Sequence, residues 1–226
     1  MAAPARKTIE LFYDVISPYS WIGFETLCRY KNKWNIDLQF RPFFLGAVMH
    51  ATENTPPGMN PAKGAYGQKD LERNRDYYKI PLVRPEDPAE VMFVKGSLQA
   101  QRLLTAVSMQ EGNDAVENVT RQLYLRVWSK DLDITEPKSL MEAAKKAGFS
   151  EEKAQSLVAR TKDQDIKDKL KENTNTALEH GAFGAPTIVV HVDGKTHMFF
   201  GSDRFHLIAE VLGEKFEGPL TEFSKL

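Results

Sequence analysis

Apolar and polar residues alternate at both ends of the chain and recur at helical spacing through its middle. Near the amino end Ile9, Leu11 and Tyr13 alternate with Thr8, Glu10 and Phe12, as in a strand with one face more buried than the other. Ile36, Leu38 and Phe40 alternate strictly with Asp37, Gln39 and Arg41 and predict a second strand. The stretch from Pro18 to Lys33 has no internal proline and a single glycine, which allows a helix between them. A helix joining two such strands predicts a right-handed crossover and a parallel pair.

Residues 46 to 95 hold Pro56, Pro57, Pro61, Pro81, Pro85 and Pro88, with Gly46, Gly58, Gly64 and Gly67. That density predicts a long broken loop with a short helix around Lys69 to Tyr78, and such a loop is commonly functional or covers something. From Gly96 to Gly181 the pattern turns helical. Val116, Val119, Leu123 and Val127 fall on one stripe. Thr135 is a candidate cap for the next helix, which Gly148 ends. Ser150 with Glu151 and Glu152 opens another helix, and a charged helix over Asp163 to His180 closes at Gly181.

The last part returns to strands. "PTIVVHV" and "KTHMFF" flank Asp193-Gly194, a type I′ hairpin signal. "GSDRFHLIAEVLG" reads as a helix capped by Ser202 or Asp203 and stopped by Gly213. The order is β-α-β, a helical insertion, then β-β-α. It predicts an α/β, thioredoxin-like fold with a large helical domain inserted between its two halves. The halves are residues 1–45 and 182–226, and the connecting loop with the helical domain is 46–181.

Composition narrows the function class. The chain has 226 residues, 42% hydrophobic and 27% charged, with a net charge of −1. This favours neither nucleic acid nor an acidic membrane as partner, and no apolar run approaches the roughly 20 residues of a membrane span. A single cysteine, Cys28, builds neither a disulfide framework nor a cysteine-based zinc site, and it reads as a small buried hydrophobe. The five histidines are scattered or lie in the hairpin, so no metal is expected. "MAAPARKTIE" is too short and polar for a secretory signal and weak as a mitochondrial presequence. Ser224-Lys225-Leu226, as a free carboxyl terminus, is a receptor-read peroxisomal address, so a peroxisomal protein bound by an import receptor is expected.

Four places carry candidate chemistry. In "LFYDVISPYSW" an apolar run ends at Ser17 and Pro18 follows, as when a strand hands over to a helix with Ser17 as N-cap. Redox proteins often put Cys-x-x-Cys at such a junction; here both thiols are replaced by Ser17 and Ser20. The helix start offers free amides and about half a positive charge to an anion, and a serine hydroxyl adds one more donor; a plain cap explains the motif about as well. In "GAFGAPTIVV" a proline opens a strand, and the thioredoxin fold places a cis proline there, whose preceding residue, Ala185, offers backbone groups to an extended peptide. In "FGSDRF" a carboxylate and a hydroxyl beside helix-start amides suit a ligand with both an ammonium and a carboxylate, and a simple cap has a comparable claim. Asn54 and Lys63 of the long loop could add a polar contact and a positive charge, although solvated loop residues are the simpler reading.

"ELFYDVISPYSW", "GAFGAPTIVVHVDGKTHMFFGSDR" and "DITEP" together resemble the kappa class of glutathione transferases, within the DsbA-like thioredoxin folds, over residues 7 to about 218. The resemblance implies glutathione as co-substrate, no permanently bound cofactor, small hydrophobic electrophiles as second substrates, possible reduction of lipid hydroperoxides, a homodimer, a role in detoxification and mitochondrial as well as peroxisomal members. By the same resemblance Ser17 faces the glutathione sulfur as the catalytic residue, and Pro18 and Tyr19 flank it. Ala185 pairs through its backbone with the cysteinyl unit, where some members carry leucine. Ser202 and Asp203 hold the γ-glutamyl end, and Asn54 and Lys63 lie near the glycyl end. Bacterial 2-hydroxychromene-2-carboxylate isomerases share the elbow serine and use glutathione, so isomerase chemistry is an alternative. A redox-dead DsbA-like binding module is another.

Overall fold

The computed structural model describes residues 6–222. Strand β1 (Lys7–Tyr13) leads through helix α1 (Pro18–Tyr30) to β2 (Ile36–Pro42), and β1 and β2 pair in parallel with Ile9 opposite Leu38. After seven intervening α-helices come β3 (Thr187–Val192) and β4 (Lys195–Phe200), and the order within this four-stranded sheet is β2-β1-β3-β4. β3 runs antiparallel to both its neighbours. Asp193 and Gly194 both take positive φ, 51° and 73°, as the type I′ turn between β3 and β4 requires.

The intervening α-helices are α2 (Leu45–Ala51), which directly follows β2, then α3 (Pro61–Tyr78), α4 (Leu98–Glu111), α5 (Asn113–Ser129), α6 (Pro137–Lys146), α7 (Glu151–Ala159) and α8 (Gln164–Glu179); α9 (Phe205–Leu212) follows β4. Alternation along β1 explains the layering. Ile9, Leu11 and Tyr13 enter the main core with Trp21, Phe24 and Leu27 of α1, Ile208 and Leu212 of α9, and the Val116–Val127 stripe of α5. Phe12 faces the other way, into a smaller cluster with Phe43, Val48, Ala177 and Val189. Cys28 is buried in the main core, and burial raises its thiol pKa, which fits a packing role.

The structure corrects three boundary readings. The proline-rich stretch is more helical than its composition suggests: α3 runs 18 residues from Pro61, capped by Asn60. Pro61 sits at the first helical position, where its missing N–H costs nothing, so it starts the helix. Ser202 and Asp203 do not cap α9; its N-cap is Arg204, without a side-chain bond, and residues 201–203 form a bend before it. Thr135 does not cap α6, whose N-cap is Glu136; the Thr135 hydroxyl donates to Asp133.

Candidate active site

Ser17 is the N-cap of α1 and Pro18 its first residue, as the sequence implies. The Ser17 hydroxyl accepts from the Ser20 amide at 3.1 Å and donates to the Ala185 carbonyl at 3.3 Å. In the first turn Pro18 has no N–H, the Ser20 amide is taken by the Ser17 hydroxyl, and the Trp21 amide donates to the Ser17 carbonyl. That leaves the Tyr19 amide, without a partner among the described hydrogen bonds, as the donor at the positive end of the helix.

The loop before β3 closes on this elbow. The Ala185–Pro186 peptide is cis. A Cβ added to Gly23 of α1 would lie 3.2 Å from Pro186 Cγ and 4.0 Å from Ser202 Cβ, so helix, proline and the Ser202 turn are in close contact. The Gly201 amide donates to the Pro186 carbonyl at 3.0 Å, which joins the same two loops. A Cβ on Gly184 would approach the Phe200 ring to 2.8 Å, so glycine is required for the loop to reach this position.

The remaining predicted residues surround this junction at different distances from its centre. Asn54 donates to the Phe183 carbonyl at 2.6 Å and so lies against the 183–185 loop. Lys63 is exposed in the first turn of α3. Ser202 is buried, whereas Asp203 is exposed and pairs with Arg204 at 2.6 Å. Tyr19 reaches from α1 to α3, where its hydroxyl donates to Asp70 at 2.7 Å. Burial pushes the Tyr19 phenol well above its usual range, and the Asp70 carboxylate pushes it further, so it stays a neutral donor.

Several supporting residues carried no signal in the sequence reading. Tyr78, at the end of α3, donates to the Ser202 carbonyl at 3.2 Å, and burial together with Tyr77 and Asp203 pushes its phenol up to about 12. The strand end 13–17 is held from the helical insertion. Gln101 of α4 accepts from the Val15 amide at 3.2 Å and donates to the Tyr13 and Phe43 carbonyls at 2.9 and 2.8 Å. The Trp128 indole donates to the Val15 carbonyl at 2.9 Å. A carboxylate inside "LFYDVIS", flanked by apolar residues, was the signal available for Asp14: charged residues are almost never fully buried without a reason.

Comparison with known proteins gives a consistent picture. The family model for a DSBA-like thioredoxin domain matches residues 8–213. The chain is 52% identical over 217 residues to the Homo sapiens protein "Glutathione S-transferase kappa 1", covering 96% of each. It is 48% identical to the Rattus norvegicus protein of the same name, again covering 96% of each. A solved structure of 2-hydroxychromene-2-carboxylate isomerase superposes with a TM-score of 0.73, at 20% identity, over 91% of this chain and 94% of that one. At that identity the likeness is one of fold.

Proposed function

The chain belongs to the DsbA-like thioredoxin family and, within it, to the kappa-class glutathione transferases, and on that premise we propose how its elbow performs the transfer. The observation that carries the reading is the meeting of the Ser17 hydroxyl with the Ala185 carbonyl beside the cis proline. An extended peptide that pairs with Ala185 presents its own side chain to Ser17. In glutathione that side chain is a thiol, so the substrate supplies the sulfur that Ser17 and Ser20 do not.

A free thiol titrates near about 8.5, and the thiolate is the nucleophile. The Ser17 hydroxyl turns from the Ala185 carbonyl to donate to the sulfur, while the Tyr19 amide and the helix end add positive potential. The thiol proton leaves to solvent. The thiolate then attacks an electrophilic carbon; a carbon–sulfur bond forms and the leaving group departs with its electron pair. The proposal extends to hydroperoxides: two glutathiones reduce one hydroperoxide to the alcohol and water, leaving glutathione disulfide. Pro18 and Tyr19 wall the pocket, Ser202 and Asp203 hold the γ-glutamyl end, and Asn54 and Lys63 serve the glycyl end.

Conjugation of glutathione to a chlorodinitrobenzene, followed by absorbance, tests this reading, and turnover is expected. Binding of glutathione with no turnover would favour a non-catalytic module. Turnover of a 2-hydroxychromene-2-carboxylate without conjugation would favour the isomerase. Asp203→Ala sharpens the assignment. It removes a contact made equally in ground and transition states, so the KM for glutathione should rise about tenfold or more at nearly constant kcat. A large fall in kcat at saturating glutathione would move Asp203 to the reacting end.

A homodimer, a detoxifying role, and residence in peroxisomes with a mitochondrial pool belong to the same proposal. Ser224-Lys225-Leu226 lies outside the described residues. Where these residues form a free carboxyl terminus, removing them should release the protein from peroxisomes, because the import receptor reads that end. Imaging that finds the truncated protein still in peroxisomes would refute the address.

A further inference from the structure

Asp14 is fully buried at the end of β1, three residues before Ser17. Its carboxylate accepts from the Ile16 amide and from the Leu45 amide, each at 3.0 Å. The Ser97 hydroxyl also donates to it, and Ser97 is the residue before α4, whose start it does not cap. One side chain thus joins the elbow, the first residue of α2 and the residue that precedes α4. Its main chain takes part as well, since the Ser17 amide donates to the Asp14 carbonyl at 3.0 Å. Among the described residues no lysine, arginine or histidine forms an ion pair with it.

A carboxylate in such a place is costly. Burial pushes its pKa up to about 6, against the pull of the Ser97, Leu45 and Ile16 donors. Its folded pKa lies above its unfolded value, so stability is greatest below the unfolded pKa and is lost as pH rises through about 6. At neutral pH the fold carries a buried anion whose partners are all neutral dipoles. A chain that retains such a group against its stability usually does so at a working site.

We propose that Asp14 is a positioning residue for thiolate formation: its three bonds fix the turn that carries Ser17, so that the Ser17 hydroxyl and the Tyr19 amide converge on the glutathione sulfur. The proposal rests on the reading of Ser17 as the hydroxyl that faces the sulfur. Ala185 and the Ser202–Asp203 turn hang from β3 and β4, so they keep the tripeptide in place when Asp14 is changed. The effect therefore falls on the sulfur and spares affinity.

The direction of the effect separates position from charge. Asp14→Asn keeps the shape and one acceptor but loses the second acceptor and the charge. If only the charge mattered, removing an anion near the site would let the thiol ionise more easily, and its titration would move down. If the bonds matter, the titration moves up. The experiment follows thiolate absorbance of the glutathione complex across pH, with glutathione affinity and thermal midpoint measured on the same samples. Wild type should titrate below free glutathione and Ser17→Ala above wild type; if either fails, the reading of Ser17 falls first. Given both, Asp14→Asn and Asp14→Ala should titrate about one pH unit above wild type, with kcat at neutral pH down about tenfold and glutathione affinity within about twofold. Ser97→Ala removes a single donor and should give a smaller upward shift, which keeps the test open if Asp14→Ala does not fold. Titrations of Asp14→Asn and Ser97→Ala that coincide with wild type, or move down, overturn the proposal.

Discussion

Ser17→Ala is expected to raise the titration of bound glutathione by about one to two pH units and to cut conjugation at neutral pH about 10- to 100-fold. The hydroxyl is the one side-chain donor that the elbow brings to the Ala185 loop, at 3.3 Å from its carbonyl. A shift of one to two units corresponds to roughly 1.4–2.7 kcal/mol, the size of a charge-assisted hydrogen bond. The Tyr19 amide and the helix end remain, so the variant keeps part of the stabilisation and its thiol should still titrate below the free value. The same change removes the cap on the Ser20 amide, which costs about 0.5–2 kcal/mol of fold stability. Ser20→Ala is the control. Its hydroxyl is fully buried and interacts with the Tyr124 phenol of α5. Thiolate absorbance across pH and the pH–rate profile should move together in Ser17→Ala and stay in place in Ser20→Ala. If Ser20→Ala carries the shift instead, the assignment of the hydroxyl is wrong; if neither does, the helix terminus acts alone and Ser17 is a cap.

What could be read in advance is what the chain writes locally. The strands announce themselves by alternation at Ile9–Tyr13 and Ile36–Phe40, the hairpin by Asp193-Gly194, and the α5 face by its Val116–Val127 stripe. Ser17 and Ala185 were legible because each stands beside a proline at an element boundary, where backbone groups are left free. Helix α3 was shortened because it is polar nearly all round, with Tyr78 as its one buried residue, so no apolar stripe marks it. The Ser202–Asp203 cap failed because a plausible cap composition also suits a bend, and Asp203 spends its carboxylate on Arg204. The support behind the site was illegible for another reason. Gln101, Trp128 and Tyr78 act through bonds to residues 58 to 124 positions away in sequence. No local period or motif encodes such a contact.

Arg121→Met is expected to destabilise the fold by about 3–5 kcal/mol. Arg121 of α5 grips Glu25 of α1 with two parallel bonds, Nε to Oε1 at 2.9 Å and Nη2 to Oε2 at 3.1 Å. Glu25 also accepts from the Trp21 indole at 3.2 Å, and Arg121 lies over the Phe24 ring at 5.5 Å. The Glu25 side chain is 2% exposed, against 21% for Arg121. Burial pulls the guanidinium pKa down, and the bonds to Glu25 more than reverse this, so Arg121 stays charged. Without Arg121 the buried carboxylate keeps the indole but loses its bidentate partner, and the Arg29 guanidinium of the same helix is left as the cation acting on it. Protonation relieves the cost of burying a carboxylate that has lost its partner, so the variant is least penalised at low pH and loses stability as pH rises. The gap to wild type in urea denaturation should therefore be wide at pH 8 and narrow toward pH 5. Adding Glu25→Gln removes the stranded charge and should recover most of the loss, because a buried ion pair and a neutral replacement of similar volume differ little in stability. A single variant as stable as wild type at pH 8, or a double variant no better than the single one, would show that the bond between α1 and α5 is incidental to how the elbow helix is held.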